Sequence, residues 1–285
     1  MPILRRRWSA PRPAVTSKVV TLGALVEGIA QGVRIGIPPD YAGPALLATF
    51  EIIRRAIGGL HLVTAPTSGI QADLLIGAGL VASVETAGIS LGEYGSAGRF
   101  QAAVTAGAIE IKDATCPALH AGFQAAEKGV PFLPLRGILG TDLLASRPDW
   151  KVIRNPFADS SDPIVVVPAI RPDVVLFHAA LADSTGNVWI GTRRELATLA
   201  HASRATFVTV EALHPGNLLS DPTLAPGTLP HLYVTRVAVA PGGTWPLPFA
   251  GRVPGDEGAL ARYAEASRSA EGFSALVREW LDARA

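Results

Sequence analysis

The chain has 285 residues, a net charge of +1, and 48% apolar against 17% charged residues, a balance that suits one packed domain and excludes long disorder. Arg5-Arg6-Arg7 is the lone basic run, too short for a nucleic-acid-binding face. One cysteine, Cys116, excludes an internal disulfide framework and fits a reducing cytoplasm, and no apolar run reaches the length of a membrane span.

Residues 1–17 carry Pro2, Pro11 and Pro13 without the apolar segment of an export signal, so they read as a tail, with 18–285 as one domain. Thr21 is a candidate N-cap for a helix bearing Leu22, Leu25, Val26 and Ile29 at helical spacing. A strand is expected over 33–37 and an amphipathic helix over 44–57. Apolar runs at 61–64, 73–76 and 84–89 read as further strands. A helix over 117–128 ends at Gly129. The β-branched runs at 164–167, 174–177 and 206–210 do not alternate, which suits strands covered on both faces. A helix over 192–203 separates two of them. Residues 257–282 read as helical, with Phe273, Leu276, Val277, Trp280 and Leu281 on one stripe. The expected fold is α/β: an open, mostly parallel sheet with helices on both faces.

Short motifs say little singly. Gly77-Ala78-Gly79-Leu80-Val81-Ala82 fits G-x-G-x-x-A, but the next apolar run begins at Val84 and leaves no room for the crossover helix of a dinucleotide site. A nucleotide-binding reading would require a helix over 79–90; a strand is expected for most of it. No pair among the six histidines has metal-ligand spacing on one element, so no metal site is expected. His178 follows the buried run 174–177, at the strand end where parallel sheets gather functional groups, or else is a hydrogen-bonded structural histidine. Glu85, inside an apolar run, either faces a cleft or is paired. Cys116, before Pro117 at a helix start, reads as a small buried apolar residue in preference to an activated thiol. No G-x-S-x-G elbow is present.

Longer segments form an ordered set. Residues 18–36 resemble the opening of the A (alpha) subunits of family I coenzyme A transferases. Ala182-Asp183-Ser184-Thr185-Gly186-Asn187-Val188 resembles that family's A-D-x-x-G-N-V signature, and 205–213, with Val210-Glu211, resembles its valine–glutamate strand end. Residues 131–143 and Ala240-Pro241-Gly242-Gly243-Thr244-Trp245-Pro246, followed by Tyr263, are similar to segments of the alpha-type branch of glutaconate CoA-transferases.

The resemblance implies an alpha subunit that works with a B (beta) subunit on acyl-CoA and carboxylic acids, with coenzyme A as substrate and no permanently bound cofactor. In the family a glutamate of the beta subunit attacks the acyl-CoA and passes through an anhydride to a glutamyl-CoA thioester. The alpha subunit supplies one wall of the site. Thr64-Ala65-Pro66-Thr67-Ser68-Gly69, where a beta-type chain would carry the glutamate, holds no acid. The loop 36–43 departs from the family's paired glycines, because Pro38 and Pro39 have no N–H to donate to an oxyanion. The resemblance places Gly36, Asp40, Tyr41, Gly43, Ser68 and Gly69 in the cleft, with Gly88, Gly137, Gly140 and His178. Glu85 and Asp113 are the candidate catalytic acids on this chain. Related ring-opening acyl-CoA hydrolases carry a glutamate where this chain has Asp113-Ala114-Thr115-Cys116. The competing readings are the alpha subunit of such a hydrolase and a non-catalytic component that binds acyl-CoA.

Overall fold

The computed structural model describes residues 17–284, so the tail expected over 1–17 lies almost wholly outside the described residues. The first half of the chain alternates strand and helix: β1 (Val19–Val20), α1 (Leu22–Val26), β2 (Arg34–Ile37), α2 (Leu46–Arg54), β3 (Leu60–Thr64), α3 (Ile70–Gly77), β4 (Val81–Thr86), α4 (Gly98–Thr105) and β5 (Glu110–Asp113). Thr21 caps α1 as its position predicts, its hydroxyl accepting the Ala24 N–H at 3.2 Å. Then come α5 (Cys116–Glu127), β6 (Phe132–Leu135), α6 (Leu143–Ser146), β7 (Lys151–Arg154) and β8 (Pro163–Pro168). The last part holds β9 (Val174–Asp183), β10 (Val188–Trp189), α7 (Arg194–Ala202), β11 (Ala205–His214), β12 (Thr228–Leu229), β13 (Arg236–Val239), α8 (Glu257–Ala266) and α9 (Ala270–Asp282).

The main sheet runs in the order β1-β13-β11-β9-β2-β3-β4-β5, and every pairing on that path is parallel. β10 and β12 add an antiparallel flap at the end of β9. Side chains alternate across the sheet with the period of two that a strand imposes. Leu60, Leu62, Val174 and Leu176 enter a core formed with α1, α2, α3, α8 and α9. Val63, Val175, Phe177, Val208 and Val210 enter a second core with α5 and α7. Burial on both faces is why these strands read as unbroken apolar runs, and it gives the open α/β architecture expected from the sequence.

Three expectations are corrected. Residues 73–76 are not a strand but lie in α3. Every residue from Ile70 to Ile76 is buried, so the helix has no solvent-facing side and its run carries no readable period. Residues 164–167 do form a strand, β8, but it belongs to a separate antiparallel sheet between β6 and β7. The segment 257–282 is two helices, because Ser269 caps the second through a bond from the Gly272 N–H. The Gly77–Ala82 motif joins a helix to a strand, the reverse of a dinucleotide fold. A Cβ on Gly77 would lie 2.5 Å from the Phe273 ring, so close approach of α9 explains that glycine.

Candidate functional site at the carboxyl ends of the strands

From β2 the chain steps outward through β3, β4 and β5; from β9 it steps the opposite way through β11 and β13. The reversal opens a crevice at the carboxyl ends of β2 and β9, the general ligand position of such sheets. Two cavities lie there. The larger, about 680 Å³, is bounded by the loops after β2, β3 and β4 and by Leu247, Leu260 and Tyr263. The smaller, about 280 Å³, is bounded by His178, Trp189, Arg193 and Phe249. Tyr41, 61% exposed, lines both.

The loop after β2 is fixed by contacts that need its sequence. Gly43 has φ +85°, a left-handed conformation, and a Cβ there would lie 2.3 Å from the His178 carbonyl oxygen. The Gly43 carbonyl accepts the His178 N–H at 2.6 Å, tying the loop to β9. Ser68 donates its hydroxyl to the Pro38 carbonyl at 3.3 Å, and its N–H goes to the Gly88 carbonyl at 3.3 Å. Gly69 permits Asp40 to approach: its Cβ would lie 2.0 Å from Asp40 Oδ2. That oxygen accepts the Ile70 N–H at 3.1 Å and so caps α3. Asp40 Oδ1 has no hydrogen-bond partner among the described residues. Burial pushes the Asp40 carboxyl up to about 7, against the helix-end amides that favour its charge. Asp73 lies beneath it in α3, accepting the Phe100 N–H at 2.7 Å and the Tyr263 hydroxyl at 2.8 Å. Burial raises Asp73 to about 6.

His178 is fully buried and fully bonded. Its Nδ1 lies 2.9 Å from Thr209 Oγ1 and its Nε2 2.7 Å from Glu211 Oε1. Glu211 also accepts the Gly242 N–H at 2.9 Å. Burial alone would raise Glu211, but the His178 and glycine amide bonds outweigh it and hold the carboxyl below the ordinary glutamate value. Since an ionised Glu211 only accepts, the His178 Nε2 carries the proton of that bond.

Asp40, Tyr41, Ser68 and Gly88 therefore line the larger cavity, and His178 the smaller one. Gly43 and Gly69 shape the loops from behind. Gly36 lies within β2, where its missing side chain admits Pro172. Gly137 and Gly140 belong to the turn between β6 and α6 and line neither cavity. Glu85 is buried in a double ion pair with Arg34 and with Arg147, the latter at 2.7 Å, and lines neither cavity. Asp113 ends β5 and its Oδ1 accepts the Ala114 N–H at 2.9 Å. Cys116 is exposed at the first turn of α5, which corrects the buried reading. Sequence reasoning missed Glu93, Tyr94, Arg193 and Phe249, which stand on loops and turns, and Trp189, on the two-residue strand β10, because none has a local pattern to single it out.

Comparison with known proteins agrees with this fold. A family model described as coenzyme A transferase matches residues 43–236. The chain is similar to the alpha subunit of 3-oxoadipate CoA-transferase from Pseudomonas knackmussii, 33% identical over 244 residues and 82% of each chain. It is 30% identical to the alpha subunit of glutaconate CoA-transferase from Acidaminococcus fermentans over 93% of this chain and 88% of that one. The crystal structure of glutaconate coenzyme A-transferase from that organism superposes with a TM-score of 0.85 over 93% of this chain and 89% of its own, at 28% identity. The cholesterol ring-cleaving hydrolase IpdA subunit of Rhodococcus jostii is 27% identical over 93% of this chain and 92% of its own. The open parallel sheet, the crevice at its strand ends and these matches lead to one conclusion: the chain belongs to the coenzyme A transferase family.

Proposed function

We propose that the chain is the alpha subunit of a heteromeric enzyme that moves coenzyme A between carboxylic acids, with the nucleophilic glutamate on a beta subunit. The observation that carries this reading is the loop after β3. It reaches the larger cavity with Thr67 and Ser68 and has no carboxylate at any position from 65 to 69. Exposure at the strand ends supports a covering partner. Tyr41, Leu213 and Val239 stand at or just beyond the carboxyl ends of β2, β11 and β13 and are 61%, 42% and 41% exposed. Large apolar side chains left in water along one edge favour association.

In this reading the partner glutamate attacks the thioester carbonyl, a C–O bond forms, and the coenzyme thiolate leaves to give an anhydride. The thiolate then attacks the glutamyl carbonyl and releases the first acid, leaving a glutamyl-CoA thioester for the second acid to take. This chain's part is to hold the acyl chain against Ile89, Leu91 and Leu247 and to exclude water from the intermediates. Co-expression with the beta subunit, size exclusion and a CoA-exchange assay test it. A stable complex that exchanges CoA and carries a CoA adduct on the partner's glutamate by mass spectrometry is expected. Release of free CoA without exchange would assign the hydrolase reading instead, and a complex that binds acyl-CoA without turnover would assign the non-catalytic one.

A further inference from the structure

The smaller cavity is lined by one cation that the reading above does not use, Arg193, and a second, Arg252, lies over one of its lining rings. The Arg193 guanidinium lies over the Tyr41 ring, 5.1 Å from its centroid, and the Arg252 guanidinium lies over the Trp189 ring at 5.5 Å. Both rings line the cavity. Neither arginine forms an ion pair among the described residues. Among the described residues no aspartate or glutamate lines the cavity, though the Glu195 carboxylate acts on the Tyr41 hydroxyl from outside the lining. A guanidinium over a ring still has N–H groups to donate, and its fork of donors fits planar oxyanions in pairs of parallel bonds.

The cavity also has a defined position. Tyr41 is the wall between it and the larger cleft, so a ligand in one abuts the other. Its floor is rigid, because His178 is bonded to Thr209 and Glu211 and packs edge-on to Phe249 at 4.8 Å. About 280 Å³ accommodates the end of a substrate but not a whole acyl-CoA.

We propose that this cavity is an oxyanion subsite in which Arg193 and Arg252 bind a second anionic group of the substrate while its reacting end lies across Tyr41 in the larger cleft. The group is a carboxylate at the far end of a dicarboxylic acyl chain or a phosphate of coenzyme A; both present the same chemistry to a guanidinium. The proposal deepens the transferase reading and rests on it for the reacting end.

Arg193→Met and Arg252→Met keep an unbranched side chain over the ring and remove the charge. In the alpha–beta complex, exchange is compared for succinate against butyrate as acceptors, and for acetyl-CoA against acetyl-dephospho-CoA and acetylpantetheine as donors. Each variant should lower kcat/KM for the member bearing the recognised anion on the order of 10- to 100-fold, the effect of a charge-assisted bond, and leave the member lacking it within about threefold. Loss with succinate alone assigns the carboxylate; loss with the phosphorylated donor alone assigns the coenzyme. Equal loss across all pairs, or no loss in any, overturns the subsite. If the wild-type complex exchanges no CoA, the transferase reading fails on its own. Calorimetric titration of succinate and of adenosine 3′,5′-bisphosphate into the wild-type complex and the Arg193→Met complex then decides the subsite. Binding lost in the variant upholds it, and no binding of either probe to wild type refutes it.

Discussion

Glu211 Oε1 lies 2.7 Å from His178 Nε2, while the Gly242 amide bonds the same carboxylate from the loop after β13. One acidic side chain thus joins three neighbouring segments at the strand ends: β9, β11 and the closing loop. Glu211→Ala should lower stability by about 2 kcal/mol at pH 7, since bonds to a charged acceptor are lost and buried donors are left bare. The folded carboxyl sits below its ordinary value, so its contribution is present above the unfolded glutamate pKa and is lost as pH falls through the lower folded value. Urea unfolding at about pH 7 and about pH 3.5 checks this; an unchanged gap between wild type and variant would remove the carboxylate charge from the account.

Glu85 joins Arg34 and Arg147 in the interior, with the Arg147 side chain 3% exposed. Removing the acid takes one of two carboxylates from the buried Arg147 guanidinium, which keeps Asp149 at 2.8 Å and the Asp113 carbonyl at 3.0 Å. Glu85→Ala should cost about 1–3 kcal/mol, since charge-assisted bonds are lost but Arg147 stays paired with Asp149. Glu85→Gln should lower Tm while the folded complex keeps its exchange rate per active site. Lost exchange at unchanged Tm would instead place Glu85 in the chemistry.

Asp40 and Asp73 share a buried layer with Tyr263, with Arg99 nearby and Glu93 and Tyr94 on the rim. Their folded pKa values are raised from the usual 3.8 to about 7 and about 6. The native state therefore binds these protons more tightly than the unfolded chain. The stability they contribute is complete below the unfolded value and is lost as pH rises through the folded ones. Between about pH 4 and pH 7 the loss should reach a few kcal/mol, masked in part by other groups. Asp73→Asn keeps an acceptor for Phe100 and should flatten that slope in Tm measured from about pH 5 to pH 8. An identical slope in the variant would exclude Asp73 as its source.

Gly43→Ala places a Cβ 2.3 Å from a backbone carbonyl at a residue with φ +85°. A loss of at least about 2 kcal/mol is expected, with displacement of the loop that carries Asp40 and Tyr41. Exchange should fall with it in the same preparation. Full stability and activity in the variant would show that the loop is free to move.

Much of the fold was legible because each long buried strand declares itself by composition. The runs 174–177 and 206–210 lie between the two cores and are buried from end to end. Asp73-Leu74-Leu75-Ile76 misled for the same reason: a helix buried on all sides leaves the same unbroken apolar run as a strand. The β6, β7 and β8 sheet was hidden because strand runs do not announce their partners. In the site, Asp40 and Tyr41 were legible only through the family resemblance, which puts the loop after the strand at 33–37 in the cleft. Arg193 and Trp189 were not, because residues on turns and short flaps have no periodicity to betray them.

The sequence by itself determined the fold class, the family and the absence of an acid in the β3 loop, since these depend on residue type and order along the chain. Only the tertiary structure decided which polar groups meet. Glu85 with Arg147 and Asp73 with Tyr263 are 62 and 190 positions apart in the chain. Desolvation and pairing act through space, so whether a carboxylate is paired, neutral or open to a ligand follows from packing rather than from its neighbours in sequence.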